Sequence, residues 1–162
     1  MINRPLDLAG IGIGPFNLSL AAQLDAIDEL EACFFERRER FCWHEGMMLP
    51  EVELQTSFLK DLVTAVNPTS PWSFMAYLVS HKRFYSFIHA EFEATPRKEF
   101  ASYLAWVAQS LKSLRFGADV RDIAFVENAF LVQVNDDRLL ARNIALGVGR
   151  SPAIPPFARP HL

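Results

Sequence analysis

A run of glycines near the start of the chain has the spacing of a phosphate-binding turn. Residues 10–17 are Gly-Ile-Gly-Ile-Gly-Pro-Phe-Asn. Gly12 would allow the sharp change from strand to helix, and Gly14 would let a pyrophosphate approach the backbone at the helix N-terminus. Pro15 suits the first helical position because it has no amide hydrogen to lose. Asn17 stands where the usual dinucleotide fingerprint has a third glycine. The pattern predicts a dinucleotide site with an unusual third position.

An acidic residue lies at the expected distance from these glycines. Glu36 ends an apolar run about 20 residues further on, where dinucleotide-binding folds place the acid that bonds a ribose hydroxyl. An acid at this position disfavours a ribose phosphate, so the pattern favours FAD or NAD over NADP. A glycine turn that binds no ligand, or the NAD-binding domain of a dehydrogenase, remains an alternative.

The other polar candidates are weaker when their residue types alone are considered. Trp43 and His44 are adjacent in a loop, a pair that is more often part of a core than a cofactor contact. Gln55 has the character of a loop amide, and Lys60 with Asp61 that of a solvated ion pair. The sequence shows no Ser/His/Asp arrangement and no paired carboxylates, so no residue is assigned as catalytic.

Two strands and a helix must hold the glycines and the acid in place. The pattern predicts a strand over 5–11, a helix over 15–28 and a second strand over 31–36, which together form a βαβ unit. The apolar residues at helical spacing, expected to form the buried face of this helix, are Phe16, Leu20, Leu24 and Ile27.

The remainder predicts further helices and then strands. Ser70 with Pro71, and Thr95 with Pro96, are expected to begin two helices. The stripe expected to be buried on the second of these comprises Phe100, Leu104, Val107 and Leu111. Residues 114–140 predict a small antiparallel insertion, and the run NIALGVG a strand returning to the main sheet. The 14 phenylalanines predict a phenylalanine-rich core.

Composition and charge limit the class of protein. A chain of 162 residues is one domain by length, and a net charge of −3 argues against nucleic acid as a partner. No apolar stretch is long enough to cross a bilayer, and the N-terminus does not resemble a signal peptide. Cys33 and Cys42 are too few for a disulfide framework and lack metal-ligand spacing. We therefore expect no metal site, and we expect a cytoplasmic location. The oligomeric state is left open, a homo-oligomer included.

Five stretches carry a resemblance to a known family. GIGIGPFNLSLAAQL, FFERRERFCWHEGMMLP, LQTSFLKDLVTAVNPTSPWSFMAYL, PRKEFASYLAWVA and NIALGVGRSPAIP resemble the N-terminal third of the flavin-dependent amine N-hydroxylases of siderophore biosynthesis. Within that family the chain is most similar to the lysine 6-monooxygenase type, with ornithine and diamine N-hydroxylases as relatives. The resemblance extends over nearly all of the chain.

The resemblance implies a fold, a cofactor and residue roles. The fold would be α/β, a Rossmann-like FAD-binding domain with a central parallel sheet, flanking helices and the antiparallel insertion. Residues implied to contact FAD are Gly12, Gly14, Pro15, Asn17, Glu36, Trp43, His44, Gln55 and Val120. Lys60 would bind the carboxylate of the substrate. NADPH and O2 would be co-substrates, and L-lysine the favoured amine over ornithine, putrescine or cadaverine.

The resemblance also implies how the chain is divided. Residues 1–150 would be an incomplete FAD-binding domain, and 151–162 a proline-rich linker toward an NADPH-binding domain that this chain lacks. Such a chain is expected to be inactive in hydroxylation by itself. A non-catalytic remnant or interaction module with an empty cofactor site is the alternative.

Overall fold

A four-stranded parallel sheet forms the centre of the computed structural model, which describes residues 4–150 and 153–161. Its strands are β1 (Leu8–Ile11), β2 (Ala32–Glu36), β3 (Leu114–Phe116) and β7 (Ile144–Leu146), in the order β3-β2-β1-β7. β1 is central and almost fully buried, as its short apolar sequence requires. The predicted α/β fold is confirmed, and β7 is the predicted return strand.

Helix α1 (Pro15–Leu24) connects β1 to β2, but it is shorter than predicted and buries a different face. Its buried residues are Asn17, Leu18, Ala21 and Ala22. Phe16 is 89% exposed and Ile27, beyond the helix end, is 40% exposed, so the predicted apolar face was wrong at both ends. The alanines allow a close approach of the helix to the rest of the core, which the larger side chains would prevent.

The other helices are α2 (Phe74–Ser80), α3 (Phe84–His89) and α4 (Arg97–Ser110). Helix α2 begins after Ser73, whose hydroxyl accepts the Ala76 N–H, and not at Ser70 as predicted. The N-cap of α4 is Pro96, without a side-chain cap, so the predicted capping by Thr95 was wrong. The predicted stripe on α4 is confirmed, with Tyr103 as an additional buried member.

The antiparallel insertion comprises β4 (Val120–Val126), β5 (Ala129–Val134) and β6 (Asp137–Ala141). It therefore begins later than the predicted residue 114, because β3 pairs in parallel with β2 and belongs to the main sheet. One apolar cluster lies between the helices and the sheet, and a second between the sheet and the insertion.

The aromatic core is only partly the phenylalanine cluster that the composition suggests. The buried phenylalanines are Phe34, Phe35, Phe74 and Phe100. Phe74 packs edge to face against Tyr103, with ring centroids 5.4 Å apart, while Phe125 and Phe157 are exposed.

The two segments without strands or long helices contain short 3-10 turns. Residues 37–73 include one at Glu45–Met47, and the segment predicted as a linker contains another at Pro156–His161. Residues 151, 152 and 162 of that predicted linker lie outside the described residues. Within the described residues, no helix has the length and apolarity needed to cross a membrane. The same residues include no group of three or more His, Cys, Asp or Glu side chains able to hold a metal ion.

Candidate functional site

The glycine turn joins the end of β1 to α1 and leaves its helix amides open. Gly12 has φ +83°, and a Cβ there would lie 2.7 Å from the Gly147 oxygen, so only glycine fits. At Gly14 a Cβ would meet nothing closer than that same oxygen at 3.8 Å, which leaves space beside the backbone. The Leu18 N–H bonds to the Gly14 oxygen, so the preceding amides of the first turn have no intrahelical acceptor. An anion at this end would be favoured by those amides and by the helix dipole.

Asn17 connects the turn to the sheet rather than facing outward. Its side chain is 4% exposed, and its Nδ2 lies 2.8 Å from the Gly12 oxygen and 3.2 Å from the oxygens of Ile11 and Ala145. The amide occupies the space beside Gly147, where an added Cβ would lie 2.6 Å from Nδ2. This explains an asparagine at the third position: it ties β1, the turn and β7 together.

Glu36 at the end of β2 holds the turn from the other side. Its Oε2 accepts the Ile13 N–H at 3.0 Å, and its Oε1 accepts the Arg38 N–H at 3.1 Å. A carboxylate has about four acceptor sites, so both oxygens retain capacity for hydroxyl donors. The predicted acid is therefore bonded to the predicted turn, at the carboxyl edge of the sheet.

Val120 lies near this edge through the chain segment that precedes it. The Ala118 N–H donates to the main-chain oxygen of Glu36 at 2.9 Å, and the Gly117 N–H donates to the main-chain oxygen of Arg38 at the same distance. Val120 follows two residues later as the first residue of β4. The structure thus brings the backbone before Val120 to the loop after Glu36.

Trp43 is anchored on α4, whereas His44 is exposed. The Trp43 ring lies 5.8 Å from that of Phe100, and the Arg97 guanidinium carbon lies 4.6 Å from the Trp43 centroid. Among the described residues, Arg97 Nε is buried without a hydrogen-bond partner. Sequence reasoning missed Arg97, because its contact with Trp43 joins segments far apart in the chain.

Gln55 and Lys60 lie on the irregular segment between β2 and α2. Both are exposed, and Gln55 lines an open cavity of about 410 Å³ together with Phe58, Phe87 and Glu91. Within the described residues, Lys60 has no carboxylate within ion-pair distance, so the alternative of a solvated Lys60–Asp61 ion pair is not formed. The segment is connected to α1 by the Ser19 hydroxyl, which donates to the Leu62 oxygen.

The predicted site residues therefore fall into two groups. Hydrogen bonds join Glu36 and Asn17 to the glycine turn, and join Glu36 to the backbone before Val120. Trp43, Gln55 and Lys60 lie on separate parts of the following loop, without a hydrogen bond to that turn among the described residues. The first group fits the adenosine and pyrophosphate of a dinucleotide, because it combines open backbone at Gly14, unbonded helix amides and a carboxylate with free acceptor sites.

Comparison with known proteins gives one consistent family. Residues 4–162 match the family described as L-lysine 6-monooxygenase/L-ornithine 5-monooxygenase. The chain is 45% identical to the L-lysine N6-monooxygenase of Escherichia coli over 160 residues, which cover 98% of this chain and 38% of that protein. It is 39% identical to the putrescine N-hydroxylase of Shewanella oneidensis, over 92% of this chain and 32% of that protein. The chain thus spans about two fifths or less of these relatives.

Solved structures agree with this result. The FAD-bound cadaverine monooxygenase DfoA of Erwinia amylovora matches with a TM-score of 0.94 and 36% identity, over 98% of this chain and 39% of that one. The ornithine N-hydroxylase KtzI of Kutzneria sp. 744, with reduced FAD, NADP+ and L-ornithine, matches with a TM-score of 0.88 and 36% identity. That match covers 94% of this chain and 39% of the neighbour.

Proposed function

Because the chain belongs to the L-lysine 6-monooxygenase/L-ornithine 5-monooxygenase family, we propose that it is the FAD-binding part of an NADPH- and O2-dependent enzyme. That enzyme hydroxylates the side-chain amine of L-lysine for siderophore biosynthesis, in the cytoplasm. The observation that carries the proposal is the hydrogen-bonded unit of glycine turn, Asn17 and Glu36 at the carboxyl edge of the sheet. This is the edge at which α/β sheets bind their ligands.

The proposed roles follow the two groups of residues. The backbone of Gly12, Gly14 and Pro15 would lie along the pyrophosphate, and Asn17 would hold this turn in place through its bond to the Gly12 oxygen. Glu36 would accept from ribose hydroxyls. Further contacts along the cofactor would come from Trp43, His44, Gln55 and the Val120 backbone. When bound, FAD supplies the redox chemistry by which electrons from NADPH activate O2.

The proposed substrate is an amine with a carboxylate, because Lys60 presents an exposed ammonium with no internal ion pair among the described residues. A charge-assisted bond to a carboxylate is among the stronger hydrogen bonds. L-lysine has this group, whereas cadaverine is the same chain without it. The chain alone is proposed not to complete hydroxylation, since it spans 38% of the E. coli relative. Binding is therefore the more informative measurement.

Lys60→Met is expected to weaken L-lysine binding to the FAD-loaded chain about 10- to 100-fold, the loss of one hydrogen bond between charged groups. Cadaverine binding should change little. Equilibrium dialysis with each labelled amine measures both. Lys112→Met, at another exposed lysine, is the charge-matched control. Equal losses for the two amines would contradict the carboxylate role of Lys60.

A further inference from the structure

Asp61, next to Lys60 in sequence, makes the densest set of hydrogen bonds in the loop between β2 and α2. Its Oδ1 accepts the N–H groups of Val63 at 3.0 Å and Thr64 at 2.7 Å. Its Oδ2 accepts the Thr64 hydroxyl at 2.8 Å and the Phe74 N–H at 2.7 Å. These four donors match the acceptor capacity of a carboxylate, so Asp61 has no strong site left for the neighbouring ammonium.

The bond to Phe74 connects the loop to the core. Phe74 is the first residue of α2 and is completely buried against the α4 aromatics. Asp61, the residue immediately after Lys60, is therefore attached to a buried and rigid position in the core. The donors come from residues two, three and 13 positions away, so one side chain contributes to both the local turn and the long-range attachment.

Tyr103 reinforces the same attachment from α4. Its oxygen accepts the Leu62 N–H at 3.2 Å, and its hydroxyl donates to the Trp72 oxygen at 2.8 Å. Burial, with the Asp61 charge as a smaller contribution, raises the pKa of Tyr103 far above its usual range, so the hydroxyl remains a donor. Leu62 and Val63 are themselves buried, at 6% and 1% exposure. The chain therefore passes from an exposed residue, Lys60, to a buried and hydrogen-bonded one, Leu62, within two positions.

We propose that Asp61 is a positioning residue that fixes the backbone from which Lys60 reaches the substrate carboxylate. The inference rests on the role proposed above for Lys60 and adds how that role is achieved. A lysine side chain is a flexible four-carbon stem, so its ammonium is directed only as well as its backbone is held. Releasing residues 61–64 would spread the ammonium over more positions and weaken its bond to a carboxylate. Ligands without a carboxylate would be unaffected.

Asp61→Asn tests this, because it keeps the size of the side chain but replaces one acceptor oxygen by an NH2 group that faces N–H donors. We expect faster hydrogen exchange at the amides of Val63, Thr64 and Phe74. We also expect the ratio of L-lysine to cadaverine affinity of the FAD-loaded chain to fall about tenfold, as for one weakened charged hydrogen bond. FAD affinity should be unchanged. Asp28→Asn, at an exposed aspartate, is the charge control.

The possible outcomes separate this proposal from the one on which it rests. Faster exchange with an unchanged amine ratio would overturn it, because Asp61 would then serve stability alone. Unchanged exchange would overturn it as well. A wild-type chain that does not distinguish L-lysine from cadaverine would refute the role of Lys60, and with it this one. If Asp61→Asn does not fold, Thr64→Val removes only the hydroxyl donor to Asp61. It should then give a smaller increase in amide exchange and a smaller fall in the ratio of L-lysine to cadaverine affinity.

Discussion

Asn17→Leu is expected to lower the free energy of unfolding by roughly 2–4 kcal/mol, because the two amide N–H donors that serve three main-chain oxygens in a buried site are lost, and a buried acceptor left without a partner costs about 1–3 kcal/mol. Leucine has as many side-chain heavy atoms as asparagine, but its methyl groups need more room and cannot donate to the oxygens of Ile11, Gly12 and Ala145. The loss should be large because these oxygens belong to β1, the turn and β7, so their separation loosens the centre of the sheet. Urea unfolding followed by circular dichroism measures it.

Gln23→Leu on the same helix is the matched control. Within the part of the chain that the structure describes, the Gln23 side chain makes a single hydrogen bond, to the Ser19 hydroxyl, and is only half-buried. Its replacement should cost less than about 1 kcal/mol. A similar small loss for Asn17→Leu would mean that the amide does not hold the strands together.

Asn17→Asp tests the same buried environment through the pH dependence of the free energy of unfolding. The new carboxylate would face three carbonyl oxygens in a buried site, so its folded-state pKa would rise above the usual value for aspartate. The neutral form is the tolerated one. The variant should therefore be most stable in acid and lose stability relative to wild type as the pH rises through that raised pKa. A stability difference that does not vary with pH would contradict this environment.

Glu36→Ala is expected to weaken FAD binding by about 100-fold or more, because hydrogen bonds to a charged group contribute about 1.5–3 kcal/mol each and two ribose hydroxyls are available. The substitution also leaves the Ile13 N–H without its acceptor and so loosens the turn. Fluorescence titration with FAD measures the affinity, with circular dichroism used to confirm that the variant is folded.

Glu39→Ala is the control for the change in charge, because Glu39 is exposed in the same loop. It should leave FAD affinity almost unchanged. Glu36→Gln should lie between the two, since an amide retains one acceptor oxygen. Equal effects of the alanine substitutions at positions 36 and 39 would show that Glu36 contributes only general charge.

The sequence predicted those parts of the fold that depend on local pattern. Local residue pattern is sufficient to identify the apolar strands β1 and β2, the glycine turn and the buried stripe of α4. The acid at the end of β2 was also found, because its position follows from the length of one crossover. These features account for the α/β class and for the placement of Glu36 beside the glycine turn.

The errors arose where distant residues decide the outcome. The start of α2 was predicted at Ser70 because Pro71 follows it, but Ser73 forms the cap, and Asp61 accepts the N–H of the next residue, Phe74. Leu114 joins the main sheet because it pairs with Phe34, a partner that no local pattern identifies. Asn17 likewise bonds to Ala145, 128 residues away. Such contacts cannot be inferred from spacing along a single sequence.

Titration of the purified 162-residue chain with FAD tests the central claim most directly. Flavin fluorescence and the unfolding temperature should be recorded in parallel. We expect saturable one-to-one binding and an unfolding temperature that rises with FAD concentration, because the ligand binds the folded state. The absence of both effects at millimolar FAD would contradict the claim that the glycine turn, Asn17 and Glu36 form a cofactor site in this chain.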